Sequence, residues 1–592
     1  MNLGIGYELL SGFLRSQNYY WLSVICYAVL ITSPLIFWKF AKTGVIFVSC
    51  MSIAFVLVKL LTLYVQPWDP DEGVHLGMAA DLLHGGRPFR DFEGNSAGPF
   101  NAYYLALFAF GNVSYVTARL AALFAQLACG VLSFFAARKL CGVKPAITVL
   151  SMVFFYFSMY YPQIIFYNSE TPFCLLISVW LFLFAYRRGR ISGLFAECFI
   201  AGLMPWIKLQ FVPFAVTCFI LSLARGVFAA GRAEYAGSSV LLQHAGGQGK
   251  SLIFRSLTQY PAIKSFLIAC FSAILPTLIF ISYLAMLGAF DRFWLFYILG
   301  NVQAATRPAY LKSVWPFLVN FANSSGMFGM ATCTAVAFMI LSLSEIKSAQ
   351  SCQSLRWFLA IPFKPYTFIV KSSHGPKDLG ILLLIFVVLV ALFTFTRPLR
   401  PYEHYINILV PSSVIFIVLG LAFYCHSEKR TRWAFSMLVV TVAVFGIKLT
   451  TPLIDGIVQY QNALVHENYY AFKDVIQYLN KNVKAGEPVA VWGAETRFLT
   501  FSGHPPATAI NLIDEMFGLV SKDRMREEYA KDIINKKPAA IVDLVNSAAI
   551  DFKVKEFELQ NYEFIRKVTD EYYQKPVSIP VWDGFVRVYL RK

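Results

Sequence analysis

The chain has 592 residues, of which 57% are hydrophobic and only 14% charged, and its mean hydropathy is +0.57. An ordinary globular interior cannot hide so much apolar surface, so the composition excludes a typical soluble protein and indicates one embedded in lipid. The formal net charge of +17 does not indicate nucleic-acid binding, because the basic residues form short clusters between apolar runs. The expected partners therefore include membrane lipids and exclude nucleic acid.

Apolar segments of membrane-spanning length recur from Trp21 to about Ile454. A bilayer span needs roughly 17 to 25 mostly apolar residues, and the sequence predicts about twelve such helices. No cleavable signal peptide is recognisable before the first helix, so this helix is expected to direct insertion itself. The stretch 191–225 alternatively forms one broken hairpin, with Pro205 and Pro213 near its turn. The predicted spans are 19–38, 43–65, 115–137, 146–166, 171–186, 191–206, 209–225, 266–288, 320–343, 379–396, 406–425 and 433–453.

The distribution of Lys and Arg predicts which loops face the cytoplasm. Basic clusters follow alternate spans, which is the pattern of cytoplasmic loops in membrane proteins. The loops between them hold most of the loop carboxylates and are predicted to lie on the outer face, together with the tail. The short loops favour a bacterial plasma (inner) membrane protein. The basic clusters contain Lys39 and Lys42; Arg138, Lys139 and Lys144; Arg187, Arg188 and Arg190; the stretch 225–264; the stretch 347–377; and Lys429, Arg430 and Arg432.

The chain is predicted to divide near residue 454 into two domains. Residues 1–454 form the transmembrane domain, whose first outer loop covers 66–114, and residues 455–592 form a soluble domain. None of the eleven cysteines falls in that loop or in the tail, so neither a disulfide framework nor a zinc pattern is expected. The fold class predicted is an α-helical polytopic membrane protein with a small C-terminal α/β extracytoplasmic domain. In the tail, helical patterns cover 469–482 and 522–536, and strand patterns cover 488–492, 539–545 and 585–590.

The first outer loop begins with a cluster of acidic residues. Asp69, Asp71 and Glu72 stand in the stretch WDPDEGVHL, a few residues beyond the end of the second predicted span. Carboxylates held at the membrane surface can serve as a general base or as metal ligands. The alternative is that they are solvated residues at a helix exit and have no chemical role. The neighbouring sequence favours the functional interpretation.

That neighbouring sequence resembles the GT-C glycosyltransferases, in particular the group of protein O-mannosyltransferases and the lipid A aminoarabinose transferase. The resemblance covers most of the chain. In many relatives a Pro-Pro re-entry stands where this chain has Ser96-Ala97-Gly98-Pro99, which leaves acceptor contacts in the loop open. The matching features are Asp71-Glu72, the helix to Leu83, the turn 84–88, Gly98-Pro99-Phe100, Arg119 in YVTARLAALF, Glu170 in FYNSETPF, the stretch RPLRPYEHYINILVP and the stretch VAVWGAETRFLTFSGHPPAT.

The resemblance implies transfer of a sugar from a polyprenyl-phosphate donor to the hydroxyl of a glycan, lipid or protein acceptor, with inversion at the anomeric carbon. Such a reaction needs a base for the acceptor and a cationic clamp for the departing phosphate. By this resemblance Asp71 is the expected general base, and Asp69 is its close competitor. Glu72 and Glu170 are expected to orient the acceptor or to bind a divalent ion. Metal dependence stays open, and no other cofactor is expected.

Four basic residues are candidates for binding the donor phosphate. Arg397, Arg400 and His404 fall at a predicted outer boundary, where guanidinium groups can grip phosphate bidentately or simply extend to the interface. Lys208 lies between two apolar stretches with no acidic neighbour in sequence, and a charge at such depth is usually paired or functional. His75, one helical turn beyond Asp71, is a peripheral candidate.

Other functions remain open at this point. A polytopic transporter or lipid flippase with an outer domain would share the span count, but it should place charges at the midplane of two repeated halves. A scaffold would not need acidic and basic candidates gathered on one surface. Transfer to asparagine and ligation of a lipid-linked glycan to a polymer have no distinguishing motif here. The segment 289–319 is expected to be an interfacial helix, and Trp492, Gly493, Glu495 and His504 are candidates either for acceptor recognition or for support of the tail domain.

Overall fold

The computed structural model is mostly helical and has a small sheet near its C-terminus. The structure describes residues 17–39, 44–62, 70–92, 98–109, 113, 115–158, 170–187, 191–226, 251–305, 316, 390, 393–394, 414–415, 418, 431, 434–439, 441–443, 472–493, 498, 502–508, 522–544, 558–581 and 584–592.

The N-terminal helices form one packed body, called here the helical body. Ten helices precede residue 287 in the described part: α1 (Gln17–Lys39), α2 (Gly44–Thr62), α3 (Pro70–Leu83), α4 (Phe100–Ala106), α5 (Tyr115–Cys141), α6 (Val143–Ser158), α7 (Glu170–Tyr186), α8 (Ile191–Leu203), α9 (212–226) and α10 (Ser251–Met286).

Membrane-spanning character is clear in the described helices. Three stretches, Thr117–Cys141, Leu209–Gly226 and Ile263–Met286, are long and apolar enough to cross a bilayer, and several shorter apolar helices accompany them. The predicted span 266–288 thus corresponds to a longer helix, α10. Most of the predicted spans 320–343, 379–396 and 406–425 lies outside the described residues, so the total of about twelve stays a prediction.

Small residues allow close approach between the helices. A Cβ atom built on Gly202 of α8 would lie 2.1 Å from the carbonyl oxygen of Ala273 in α10, so only glycine fits this contact. Similarly, Gly130 of α5 faces the ring of Phe154 in α6, where a Cβ would lie 2.2 Å from the ring. In lipid the packing of such surfaces, rather than the hydrophobic effect, holds helices together.

Helices α8 and α9 match the two predicted spans 191–206 and 209–225, and together they form an antiparallel hairpin. A short 3₁₀ turn, Met204–Trp206, and a second one, Leu209–Phe211, connect them. Arg187, just before α8, donates to the carbonyl of Ser222 in α9 at 3.3 Å, and Leu194 contacts Gly226. The far ends of both helices therefore meet, and the hairpin turn lies at the opposite end of the body.

The C-terminal part contains a four-stranded sheet in the order β1-β2-β4-β3, where β1 is Val489–Trp492, β2 Ala540–Asp543, β3 Val577–Val581 and β4 Gly584–Leu590. Strands β1 and β2 are parallel and the other neighbours antiparallel. Successive residues of β1 alternate between two apolar clusters, as expected for a sheet covered on both faces. Three longer helices accompany this sheet: α13 (Lys473–Asn482), α14 (Lys522–Lys536) and α15 (Glu563–Tyr572).

The predicted elements of the tail are confirmed in type. The helix predicted over 522–536 has those bounds, and the helix predicted over 469–482 begins four residues later, at Lys473. Strand β3 and helix α15 were not predicted. Strand β3 contains Pro580 and lies at the sheet edge, where a missing amide donor is tolerated but the strand pattern is weak.

The predicted interfacial segment is helical over 290–305 and joins the two parts of the chain. It consists of α11 (Phe290–Arg292), a π-helical stretch (Phe293–Leu299) and α12 (Gly300–Ala305). Phe296 and Leu295 are buried in an apolar cluster of the C-terminal part that includes Trp492. Its aromatic residues thus serve for packing between domains, in addition to any membrane contact made by the half-exposed Trp294.

Candidate functional site

The candidate site lies at one end of the helical body, called here the first-loop end because it carries the loop between α2 and α5. Helix α2 ends there, α5 and α7 begin there, and the hairpin turn 204–211 lies there. The opposite end contains basic residues from the predicted cytoplasmic loops: Lys144 lies over the ring of Trp38 and Lys139 over that of Tyr186. The side of the membrane that each end faces stays a prediction.

Glu72 forms a buried, two-pronged ion pair with Arg119. Arg119 Nε and Nη2 each lie 2.9 Å from one carboxylate oxygen, and the exposed fraction of the side chains is 2% for Arg119 and 0% for Glu72. Glu72 stands in the first turn of α3, where the helix dipole also favours a negative charge. Because a guanidinium fork fixes both distance and orientation, this pair attaches the start of α3 to the start of α5.

Two more titratable side chains lie beside this pair. Lys59, in the last turn of α2, is buried and electrostatically coupled to Arg119, and its ammonium lies 5.8 Å from the ring centroid of Phe55. His75 is buried on α3, three residues after Glu72. The sequence interpretation missed Lys59, although a lysine near the end of an apolar span is a signal of paired or functional charge.

A second buried pair joins two residues that the sequence assigned to different roles. Lys208 Nζ lies 3.2 Å from Glu170 Oε1, and the side chains are 9% and 0% exposed. Glu170 is the first residue of α7, and Lys208 is extended (φ −160°, ψ 133°) between the two 3₁₀ turns. The acidic partner that Lys208 lacks in sequence is thus supplied by a neighbouring helix.

The hairpin turn that carries Lys208 is held by hydrogen bonds from several elements. Asn101 and Gly98 of the first loop donate to the carbonyl of Ile207, at 2.9 and 2.7 Å. Gln210 donates to the carbonyl of Thr394 at 2.7 Å, and the hydroxyl of Tyr297 donates to the carbonyl of Pro205. The turn is therefore a rigid part of the site.

The C-terminal part contacts the first loop through Arg292. This guanidinium donates to the carbonyl of Arg90 at 2.7 Å and to Glu528 at 3.0 Å, and it lies 3.8 Å from Asp532. Partial burial alone would raise the pKa of Glu528, but Lys531 and Arg292 together outweigh this effect and hold that pKa below its usual value. The C-terminal part is thus fastened by charge to the first loop.

Asp81, on α3, is a further acidic group near this contact. Burial raises its pKa well above the usual value; nearby Asp91 acts in the same direction and Lys536 of α14 opposes it. Among the described residues no donor contacts Asp81 Oδ2. The neutral form of this carboxyl is therefore favoured relative to that of an exposed aspartate.

The remaining predicted residues fall into two groups. Asp69, Arg397, Arg400, His404 and Glu495 lie outside the described residues, and the side chain of Asp71 is likewise not described, although its backbone belongs to the first turn of α3. Trp492 and His504 are buried in the C-terminal part; Trp492 packs against the rings of Tyr529 and Tyr562, as a core residue does. No three His, Cys, Asp or Glu side chains cluster as a metal site requires within the described ranges.

No protein-family model and no curated protein sequence matches this chain. Its structure is similar to that of ArnT, the lipid A aminoarabinose transferase, from Cupriavidus metallidurans bound to undecaprenyl phosphate, with 13% identity, a TM-score of 0.35 and coverage of 92% of this chain and 97% of ArnT. It is also similar to the Archaeoglobus fulgidus oligosaccharyltransferase in complex with Zn and sulfate, with 10% identity, a TM-score of 0.39 and coverage of 90% and 72%. A third similar structure is AglB from Archaeoglobus fulgidus with an inhibitory peptide and a dolichol-phosphate, at 10% identity, a TM-score of 0.39 and coverage of 91% and 74%. At such identities and scores the likeness is too distant to assign a ligand or a residue role to this chain.

Proposed function

We propose that this chain is an integral-membrane glycosyltransferase that moves a sugar from a polyprenyl-phosphate donor to an acceptor hydroxyl. The observation that carries the proposal is the pair of buried acid–base contacts, Glu72–Arg119 and Glu170–Lys208, at the first-loop end. A buried ion pair is costly to desolvate, and apolar residues of similar size would often be as stable. Charges kept at such a place in a lipid-embedded body are therefore best explained by a function.

The chemistry divides between a carboxylate and cations. An acceptor hydroxyl must lose its proton as it attacks the anomeric carbon, and the departing lipid phosphate must have its negative charge stabilised. Lys208 presents an ammonium at the first-loop end, and Arg397, Arg400 and His404 are proposed to supply further cationic groups there. Inversion follows from a single displacement in which one carboxylate acts as the base.

Asp71 is our proposed base, with Asp69 as its competitor. Glu72, the adjacent residue, already has both oxygens engaged by Arg119, so the geometry favours its neighbour as the base. The same contact fixes the first turn of α3, to which Asp71 belongs. Glu72 is thus proposed to position the base, and Glu170 to hold Lys208 until a phosphate binds.

A transporter is the alternative function, because the chain is interrupted between helices α8 and α9. Transporters commonly interrupt helices near the bilayer midplane, where the substrate binds. In this chain the interruption at 204–211 is the turn of a hairpin whose other ends meet at Arg187 and Ser222. The charges that it carries therefore lie at one end of the body, where a surface reaction would need them.

The proposal is tested by transfer of radiolabelled sugar from a panel of polyprenyl-phosphate sugars by the purified protein. Asp71→Asn should abolish turnover and leave donor binding within about twofold, because the base acts only in the chemical step. Asp91→Asn serves as the matched control in the same loop, since that side chain is partly exposed and should be dispensable. Unchanged turnover in both Asp71→Asn and Asp69→Asn would remove the proposed base, and absence of transfer from every donor by the wild type would remove the function.

A further inference from the structure

The first outer loop contacts the backbone next to Lys208 through a small set of hydrogen bonds, called here the Ile207 latch. The carbonyl oxygen of Ile207 accepts two bonds from the loop: one from the backbone amide of Gly98 at 2.7 Å and one from the side-chain amide of Asn101 at 2.9 Å. The side-chain amide nitrogen of Asn101 also donates to the carbonyl oxygen of Gly98 at 3.3 Å, so it contacts the backbone of both the loop and the turn. Its side chain is wholly buried, so no solvent competes for these bonds.

Gly98 is required for this approach. A Cβ atom at this position would lie 1.9 Å from the carbonyl oxygen of Trp206 and 2.5 Å from its carbonyl carbon. Backbone atoms cannot retreat as a flexible side chain can, so any larger residue would push the loop away from the hairpin turn. Gly98 also stands in Ser96-Ala97-Gly98-Pro99, the segment where the chain departs from the glycosyltransferase pattern.

The latch acts on Lys208 through one rigid peptide unit. The Ile207 carbonyl belongs to the peptide bond between Ile207 and Lys208, and this bond is planar. Two donors on the same oxygen restrain this planar unit, and with it the nitrogen and Cα of Lys208. From that Cα the extended residue directs its ammonium to Glu170, which begins α7.

We propose that Asn101 and Gly98 are positioning residues that set the place of the Lys208 ammonium relative to Glu170 and to the donor phosphate. This inference rests on the proposed function for its effect on catalysis, but the latch itself is independent of it. The first outer loop thereby couples its acidic cluster, the proposed source of the base, to the cation that receives the leaving group. Displacement of a positioned group by about 1 Å is enough to lower the rate of the chemical step strongly.

The first experiment is a double-mutant cycle with Asn101→Leu and Lys208→Met, measured by transfer from a polyprenyl-phosphate sugar. Asn101→Leu should lower kcat/KM for the donor about tenfold, chiefly through kcat, because the displaced ammonium stabilises the departing phosphate less well. If Asn101 acts through Lys208, adding Asn101→Leu to Lys208→Met should have almost no further effect. Effects that simply multiply in the double variant would overturn the inference. Asn101→Ser, whose hydroxyl ends short of Ile207, tests the same bond with a smaller change if Asn101→Leu does not fold.

A second experiment does not require transfer activity. Lys208 is labelled in the folded protein with an amine-reactive anhydride and quantified by mass spectrometry, with exposed Lys567 as the internal standard. Asn101→Leu should increase labelling of Lys208 several-fold, because the buried ammonium is released from its place. Asn301→Leu is the matched control, since Asn301 also donates to a backbone carbonyl, that of Tyr297, at 2.8 Å. Equal labelling in wild type and Asn101→Leu would show that the latch does not hold Lys208, whatever the outcome of the transfer assay.

Discussion

At the residue scale, the two buried pairs of the first-loop end differ in how firmly the partners are held. Arg119 engages both oxygens of Glu72, whereas Lys208 approaches Glu170 through one oxygen at 3.2 Å. A guanidinium fork is fixed in direction, but an ammonium on a flexible stem can turn to a new partner. Glu72–Arg119 therefore suits a structural attachment, and Glu170–Lys208 suits an exchange of partner when a phosphate arrives.

The attachment role of Glu72–Arg119 predicts a consequence for stability. Glu72→Gln should lower the free energy of unfolding by about 3–5 kcal/mol, because it removes the buried negative charge that two nitrogens of Arg119 contact. The double variant Glu72→Gln, Arg119→Met should recover part of that loss. Both are measured by thermal unfolding in detergent. A Glu72→Gln protein as stable as the wild type would contradict the attachment role.

Asp81 gives a prediction about pH. Its folded-state pKa is raised by burial, so the unfolded chain ionises first as the pH rises, and the folded state loses stability between the unfolded and the folded pKa. Below the unfolded pKa both states are protonated and no loss occurs. Asp81→Asn should therefore unfold at a higher temperature than the wild type at about pH 8, and the difference should vanish towards about pH 3. A difference that stays constant with pH would exclude a raised pKa as its cause.

At the scale of elements, glycine contacts decide how closely the helices approach. Gly202→Ala should destabilise the helical body by about 1–3 kcal/mol or more, because the new methyl group would overlap the backbone of Ala273. Gly77→Ala in α3 is the matched control: its Cβ would meet nothing within 4 Å. That control should be neutral or stabilise by about 0.5–1 kcal/mol, as alanine does in a helix. Thermal unfolding of the two variants measures the contrast, and equal midpoints would count against close packing of α8 and α10.

The described spans could be predicted from the sequence because apolar length alone identifies them. The pairing of Lys208 with Glu170 could not, since two whole helices, α7 and α8, separate the two residues, which meet only because α8 returns beside α7. Asn101 carries no signal in sequence: it is a single polar residue in the short helix α4, and only its burial against the turn reveals its role. The acidic cluster stood out because several carboxylates adjoin one span.

At the scale of the whole molecule, Arg292 fastens the C-terminal part to the first loop. Arg292→Gln should increase hydrogen exchange in α14, because the contacts with Glu528 and Asp532 lose their charge. The wild-type contact should also weaken in acid. The pKa of Glu528 is lower in the folded state than in the unfolded state, so its charge stabilises the folded state above the unfolded-state pKa. This contribution is lost as the pH falls through the folded-state pKa. Lys567→Gln, which alters an exposed ion pair on α15, is the control. Equal exchange of α14 in Arg292→Gln and the wild type would contradict the fastening.

The most direct measurement is a density map of the purified protein with a polyprenyl-phosphate bound. We expect the phosphate at the first-loop end, within hydrogen-bonding distance of Lys208. The side chains of Asp69 and Asp71, at the start of the first loop, should lie close to the bound donor. A phosphate bound instead at the opposite end, beside Arg187 and Arg225, would contradict the proposed site and with it the reaction.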